Sequence, residues 1–125
     1  MNGGRPALGA EPVLTGAGEG RVSATAVIPR DHPVFTGHFP GFPVFPAVYL
    51  IELVHRSARA AHPEVAAYRA IERCRLRSPV LPGDTVDIAV ELTPSGVGLR
   101  CVGTVRTRRG TAAEIRLLCG EGTAP

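Results

Sequence analysis

The sequence predicts an α+β domain in which an antiparallel sheet packs against one long helix. Apolar residues alternate with other residues over five separate segments, which is the pattern of half-buried strands. A single segment, residues 46–61, has the apolar content and flanking prolines of a helix. The four strands that follow this helix are joined by short connections, which favours an antiparallel sheet.

Composition limits the chain to one ordinary domain with a hydrophobic core. The chain has 125 residues, of which 44% are hydrophobic and 20% are charged, and its mean hydropathy is +0.11. These values do not describe a disordered protein. We expect a loosely ordered segment rich in Gly, Ala and Pro over residues 1–20, a single domain over residues 21–120, and a tail over residues 121–125.

Charge and motif content exclude several classes of function. The net charge is +3 and all 14 basic residues are Arg, which suggests a compositional bias of the source rather than a nucleic-acid partner. The longest segment without charged residues, 32–51, contains four prolines and cannot span a membrane. The first residues lack the apolar stretch of a signal peptide, so we expect a cytoplasmic protein.

Cysteine spacing argues against a disulfide framework and against zinc. Cys74, Cys101 and Cys119 are odd in number, widely spaced and without a CxxC motif. We expect all three to be small buried apolar residues in a reducing compartment.

The elements are predicted in order along the chain. Alternation over residues 22–28 predicts a first strand. Residues 31–46 contain four prolines and two glycines, so no regular structure is expected there. The helix is predicted from Pro46, at the first helical position, to about Ala61, and Pro63 lies just beyond its end.

After the helix the pattern has period two. Turn residues at 82–84, 94–96 and 108–110 separate the strands. The apolar residues on one face of the last three strands are Val86, Ile88, Val90 and Leu92; Leu99, Cys101, Gly103 and Val105; and Ala113, Ile115, Leu117 and Cys119. Residues 69–77 also alternate, and the arginines that share one face there are Arg69, Arg73, Arg75 and Arg77. That stripe is either a solvated strand face or a docking surface for an acidic carrier protein or its phosphate.

The predicted helix is apolar on nearly every side. Residues 47–54 read AVYLIELV, with Glu52 the single charged residue among them. A helix that is apolar all round must be buried all round, and one sheet covers one side. The sequence therefore predicts that a second copy closes the remainder, as a homodimer.

Glu52 is the first candidate catalytic residue. A carboxyl group in an apolar run is partly desolvated, and burial favours its neutral form, which suits a general acid. The alternative is structural: Glu52 and Arg56 stand four residues apart in the favourable order for an ion pair on a helix. Glu52 and His55 also have a spacing found in di-iron bundles, but those need several such helices, so no metal is expected.

His38 and the phenylalanines around it form the second candidate region. His38 stands between Gly37 and Pro40 in a rigid, irregular loop, where catalytic side chains are often placed, although a histidine in a loop can also be a bystander. All four phenylalanines fall within eleven residues, namely Phe35, Phe39, Phe42 and Phe45. They either pack the loop or form a wall of an apolar slot for an acyl chain.

Two segments carry a family resemblance. Residues 37–52 read GHFPGFPVFPAVYLIE and residues 75–84 read RLRSPVLPGD. The first resembles the signature of the FabA/FabZ-type 3-hydroxyacyl-acyl-carrier-protein dehydratases, closer to the FabZ-like branch, and the second is similar to that family's PGD segment. The resemblance implies a hot-dog fold, in which an antiparallel sheet wraps one central helix and two sheets join in a dimer. It extends over about residues 20–119.

The resemblance also implies a reaction and its residues. His38 matches the family's catalytic histidine and Glu52 its catalytic acid, contributed by different protomers. Backbone N–H groups around Ala47 and Val48 would stabilise the thioester enolate. The implied activity is dehydration of 3-hydroxyacyl thioesters on a phosphopantetheine-bearing acyl carrier protein, in fatty-acid or polyketide biosynthesis, with no cofactor.

Two positions depart from the family pattern. Ala47 stands where the family usually has Gly, and Arg56 where many members have Gln. We expect Phe39, Phe42, Phe45, Ala47, Val48 and Arg56 to line the substrate site. The alternatives are a hot-dog thioesterase or hydratase acting on carrier-protein or coenzyme A thioesters, and a non-catalytic hot-dog subunit that binds an acyl carrier or completes a heterodimer in a biosynthetic complex. We expect the protein itself to form a homodimer or a higher oligomer.

Overall fold

The computed structural model describes residues 9–37, 44–96 and 98–120. Within these ranges one antiparallel sheet packs against one long helix. The elements in chain order are β1 (Val13–Gly18), β2 (Arg21–Val27), α1 (Val34–Gly37), α2 (Ala47–Ala61), β3 (Tyr68–Leu76), β4 (Thr85–Ser95), β5 (Gly98–Thr107) and β6 (Gly110–Gly120).

The strands lie in the order β1-β2-β4-β5-β6-β3, and every neighbouring pair is antiparallel. Strands β4, β5 and β6 form a meander, whereas β3 crosses to the far edge beside β6. Helix α2 packs on one face of the sheet, with contacts to each strand. The predicted α+β class and the hot-dog arrangement are confirmed.

The period-two pattern correctly predicted which residues face the helix. In β4 the buried residues are Val86, Ile88 and Val90, while Asp87 and Glu91 are exposed. In β5 and β6 the predicted inward residues Cys101, Gly103, Val105, Ala113, Ile115, Leu117 and Cys119 are all buried. The core therefore lies between these strands and α2.

Helix α2 begins one residue later than predicted. Pro46 is the residue before the helix, with φ −69° and ψ 154°, and its carbonyl accepts hydrogen bonds from the N–H groups of Tyr49 and Leu50. The pyrrolidine ring fixes φ near its observed value without losing a helical hydrogen bond. The helix ends at Ala61, before Pro63, as predicted. No helix among the described residues combines the length and the apolar character needed to cross a membrane.

Strand β1 was not predicted. It lies within the segment expected to be loosely ordered, and all six of its residues are exposed. A strand that is exposed on both faces needs no alternation of apolar residues, so no hydrophobic pattern marks β1 in the sequence. Its order comes from backbone pairing with β2, with one irregularity between Leu14 and Gly16.

The expectation of no regular structure over residues 31–46 was also wrong in part. The single turn α1 forms at Val34–Gly37. It follows Pro33, whose fixed φ is compatible with the first position of a helix, and His32 Nδ1 accepts a hydrogen bond of 3.1 Å from the Val34 N–H.

Strand β3 has an apolar face that α2 does not cover. Ile71, Cys74 and Leu76 oppose the buried β6 residues Leu117, Ile115 and Ala113, so they share the inner face of the sheet. They are nevertheless exposed, with 50% of Ile71 and 57% of Leu76 accessible. The prediction that all three cysteines are buried is therefore wrong for Cys74, because α2 does not cover this part of β3.

Cys101 and Cys119 are buried as predicted and adjacent in the core. Their Sγ atoms are 3.5 Å apart, on neighbouring strands, and both are free thiols. The contact with Cys119, together with burial, raises the pKa of Cys101, so this thiol stays protonated.

Candidate active site

Glu52 lies in the second turn of α2 with 4% of its surface exposed. Its sequence neighbours Ile51 and Leu53 are buried apolar residues. A carboxyl group in this position requires hydrogen-bonding partners, because an isolated buried charge is costly. The prediction that Glu52 is removed from water is confirmed.

Tyr68 supplies one of these partners. Its hydroxyl donates a hydrogen bond of 2.9 Å to Glu52 Oε2. The ring of Tyr68 packs edge-on against His55, with ring centroids 5.1 Å apart, and His55 Nε2 lies 2.8 Å from the Ala66 carbonyl oxygen. The start of β3 is thus attached to α2 at the position of Glu52.

Arg56 contacts the other oxygen of the carboxylate. Its Nε is 3.4 Å from Glu52 Oε1, while its Nη1 is 2.9 Å from Glu11 Oε2. The ion pair offered as the structural alternative is therefore present, but Arg56 is shared with a second carboxylate that it approaches more closely. Glu11 lies two residues before β1, so the segment expected to be loosely ordered contributes to the surroundings of Glu52.

The start of α2 presents backbone N–H groups. The first amides of a helix have no carbonyl partner within the helix, and Pro46 supplies no side-chain hydrogen bond to them. Ala47 is half-buried, and 49% of Val48 is exposed. The site thus combines a buried carboxyl group with a helix N-terminus, two features that can act on a substrate carrying an oxygen and a polarised carbonyl.

An apolar hollow of about 340 Å³ lies beside the helix start. Most of its lining residues are apolar, namely Val44, Phe45, Leu50, Leu76, Pro79 and Val80, and Arg77 and Ser78 complete the lining. The hollow includes Leu76 of the uncovered β3 face. A cavity with this lining suits a hydrocarbon chain.

Aromatic packing fixes the segments on both sides of residues 38–43. Phe45 packs against Tyr49, with ring centroids 5.1 Å apart, and against His32 at 5.4 Å. His32 is itself buried and rests on the backbone of Gly9, where an added Cβ would lie 2.5 Å from His32 Nε2. Phe35 joins the same cluster. Loop packing, the simpler interpretation of the phenylalanines, therefore holds for Phe35 and Phe45.

The predicted site residues divide into two groups. Glu52 and Arg56 are in contact, and Ala47, Val48 and Phe45 lie at the start of α2. His38, Phe39 and Phe42 lie outside the described residues. Within the described ranges, no group of three His, Cys, Asp or Glu side chains is arranged to hold a metal ion.

The contacts of Tyr68 with Glu52 and of Glu11 with Arg56 were not predicted from the sequence. Tyr68 is 16 residues from Glu52 and Glu11 is 45 residues from Arg56. No local pattern connects positions at these separations, and the contacts depend on where β3 and the β1 segment join the sheet.

The arginine stripe of β3 is solvated over the described strand. Arg73 and Arg75 are exposed and oppose Arg116 and Glu114 on the outer face of the sheet. Irregularities on either side of Ala70 and Ile71 interrupt the strict alternation before Arg73. Both earlier interpretations of the stripe therefore stay open.

The fold and the helix-borne carboxyl group define a hot-dog protein. Among solved structures, the dehydratase heterocomplex ApeI:P from Xenorhabdus doucetiae has a TM-score of 0.73 at 20% identity, covering 88% of this chain and 99% of that one. The PaaI protein of E. coli has a TM-score of 0.71 at 17% identity, covering 91% of this chain and 84% of that one. At these identities the likeness shows the fold alone.

Sequence comparison identifies the family. The model of the ApeI-like family, described as ApeI dehydratase, matches residues 15–105. The dehydratase FabZ of Symbiobacterium thermophilum is 37% identical over 86 residues, covering 63% of this chain and 61% of that protein. FabZ of Polynucleobacter necessarius is 32% identical over 113 residues, covering 82% and 76%. The chain belongs to the FabA/FabZ-type dehydratases, in their ApeI-like group, and the predicted family is confirmed.

Both FabZ relatives are 3-hydroxyacyl-acyl-carrier-protein dehydratases. The chain spans 61% of the length of the Symbiobacterium relative. Family membership therefore rests on the shared segment.

Proposed function

We propose that the protein dehydrates 3-hydroxyacyl thioesters carried on acyl carrier protein and forms trans-2-enoyl thioesters. The observation that carries the proposal is the buried Glu52 on the central helix of a FabA/FabZ-type dehydratase. The carboxyl group is buried and accepts hydrogen bonds from Tyr68 and Arg56. A carboxyl group fixed in this way suits proton transfer to a substrate hydroxyl. The names of the FabZ relatives support the same reaction.

The proposed reaction needs one base and one acid. A neutral His38 ring nitrogen takes the proton from the carbon next to the thioester carbonyl. The electron pair of that C–H bond forms the new double bond, and the C–O bond at the hydroxyl-bearing carbon breaks. Glu52 gives its proton to the departing hydroxyl, which leaves as water. His38 then holds one additional proton and Glu52 is a carboxylate, so the charges balance.

The helix start has a separate role in this proposal. Negative charge develops on the thioester carbonyl oxygen as the neighbouring carbon loses its proton. Backbone N–H groups of Ala47 and Val48, at the positive end of the α2 dipole, would donate hydrogen bonds to that oxygen. Such donors contribute most when they are already in place, as in a helix that begins at a rigid proline.

The apolar hollow supports an acyl substrate. Phe45 and Leu50 line it near the helix start, and Leu76 lines it from β3. We propose that the acyl chain enters here and that Phe39 and Phe42 add to its wall. The carrier protein is acidic in this proposal, and the exposed Arg73 and Arg75 are available to it on the outer face of β3.

The uncovered face of β3 supports a homodimer. Exposed Ile71, Cys74 and Leu76 form an apolar strip at an open sheet edge, and such edges are normally covered. Pairing of β3 with β3 of a second copy would bury the strip and continue the sheet. In this arrangement His38 of one protomer would act with Glu52 of its partner.

We propose that the enzyme acts in the cytoplasm, in fatty-acid or polyketide biosynthesis.

The test is a mass-spectrometric assay of the purified protein. It would be incubated with 3-hydroxyacyl carrier-protein thioesters of several chain lengths, and separately with the enoyl thioesters, because the reaction is reversible. We expect loss of one water in the first case and gain of one in the second. Glu52→Gln and His38→Ala should each lower the rate by about 100-fold or more.

The matched control is Glu91→Gln, which makes the same change on the exposed outer face of β4. It should leave the rate unchanged. Release of free acid without an enoyl product would indicate a thioesterase instead. Absence of any reaction, or a Glu52→Gln variant as active as the unmodified protein, would overturn the proposal.

A further inference from the structure

The phenol of Tyr68 approaches Glu52 from a different element of the fold. Tyr68 opens β3, whereas Glu52 lies in α2, and the hydroxyl donates to Oε2 at 2.9 Å. The other oxygen, Oε1, has the longer contact of 3.4 Å, to Arg56 Nε. Of these two contacts to Glu52, the one from Tyr68 is therefore the closer.

The Tyr68 ring is fixed independently of this hydrogen bond. It packs against the imidazole of His55 with an angle of 78° between the ring planes. His55 is fully buried, and its Nε2 lies 2.8 Å from the Ala66 carbonyl, two residues before Tyr68. A phenylalanine ring could keep this packing without the hydroxyl, so the contribution of the hydroxyl can be separated from that of the ring.

The direction of the hydrogen bond matches the change of charge in an acid step. A carboxyl group that gives its proton to a leaving hydroxyl becomes negative during the step. An O–H donor already aimed at Oε2 forms a stronger hydrogen bond to that developing charge than to the neutral acid. It also fixes the orientation of the carboxyl group.

We propose that Tyr68 is a positioning residue for Glu52, which fixes Oε2 and stabilises the carboxylate that forms as water departs. This inference rests on the proposed dehydratase function. Tyr68 acts through Glu52 and touches no reacting atom of the substrate itself. Its role is to raise kcat, with little effect on substrate binding.

The test compares Tyr68→Phe with Tyr49→Phe, the same change at the other tyrosine of the chain, in the dehydration assay. We expect Tyr68→Phe to lower kcat by about 10-fold, the loss of one hydrogen bond to a charged group, with KM changed by less than about twofold. Tyr49→Phe should leave kcat and KM unchanged.

A purely structural role for Tyr68 would lower thermal stability and change kcat and KM together. That result, or a Tyr68→Phe variant identical to the unmodified protein, would overturn the inference. If the unmodified protein is active and Glu52→Gln is not, the proposed function stands whatever Tyr68→Phe does. If the unmodified protein processes no substrate, the proposed function fails first, and Tyr68 as a positioning residue fails with it.

Discussion

The methyl groups of Val54 in α2 rest directly on the backbone of Gly103 in β5. A Cβ added at Gly103 would lie 2.6 Å and 2.9 Å from the two Cγ atoms of Val54. Both residues are buried in the centre of the domain. The absence of a side chain at Gly103 therefore sets how closely the helix approaches the sheet.

Replacing Gly103 with alanine should destabilise the protein. The added methyl group would overlap Val54, and overpacking of this kind costs about 1–3 kcal/mol. The measurement is the free energy of unfolding by denaturant. Gly18→Ala is the control, because an added Cβ there meets nothing within 4 Å, and a change below about 0.5 kcal/mol is expected. Equal effects of the two substitutions would contradict this account of the packing.

The sharing of Arg56 between Glu52 and Glu11 predicts unequal effects on stability. Arg56→Gln removes a cation from the buried Glu52 carboxyl group, and the free energy of unfolding should fall by about 1–3 kcal/mol. Glu11→Gln removes the exposed partner of Arg56, and the loss should be less than about 1 kcal/mol. Unfolding by denaturant measures both losses. Equal losses would show that the contact with Glu52 adds nothing to stability.

Asp84 predicts a loss of stability in acid. The Arg109 guanidinium holds the pKa of this carboxyl group below its ordinary value, and the Leu81 N–H donates a further hydrogen bond of 2.8 Å to Oδ2. Because the folded pKa is the lower one, this stabilisation is present above the unfolded value of about 4 and is lost as the pH falls through the folded value.

Asp84→Asn tests this directly. The variant should be less stable by about 2 kcal/mol at pH 7. As the pH falls below about 4, it should lose less stability than the unmodified protein. Denaturant titrations at several pH values measure both effects. Asp87→Asn, a neighbouring exposed carboxylate, should leave the acid-dependent loss intact. An unchanged acid dependence in Asp84→Asn would refute the assignment.

The exposed strip of β3 predicts the oligomeric state. Ile71→Glu places a charge on the proposed dimer contact and should shift the protein toward monomers in analytical ultracentrifugation. Val27→Glu adds the same charge at another exposed apolar residue, on β2, and should leave the dimer intact. A dimer that tolerates Ile71→Glu would place the contact elsewhere.

Cys74 reports on the same surface by its reactivity. It is the exposed thiol, whereas Cys101 and Cys119 are buried. Partial desolvation by its neighbours raises the pKa of Cys74, so labelling with a maleimide should be followed above pH 8, where more thiolate is present. We expect slow labelling at concentrations that favour the dimer and faster labelling on dilution. A rate independent of protein concentration would argue against a contact at β3.

The strands and helix that face the core could be predicted because their pattern is local. The alternation of Val86, Ile88 and Val90 and the apolar run of α2 each lie within one element. Strand β1 could not be found in this way, since its order comes from backbone pairing with β2 and not from burial. The single turn α1 was hidden by the prolines around it.

The site was predicted in its local part and missed in its long-range part. Glu52 and Arg56 are one helical turn apart, so their contact follows from sequence spacing. The contact between Tyr68 and Glu52 depends on β3 lying beyond β6, which no local pattern reveals. The sequence alone thus predicts the buried carboxyl group but not the tyrosine that donates a hydrogen bond to it.

The strand order also separates local from non-local steps in folding. Strands β4, β5 and β6 follow one another in the chain and pair through short turns, whereas β3 pairs with β6 across a loop that contains β4 and β5. Closing such a loop costs conformational entropy before the pairing stabilises the chain. The contact between Tyr68 and Glu52 therefore depends on a non-local pairing, and we expect it to form after the β4–β6 meander.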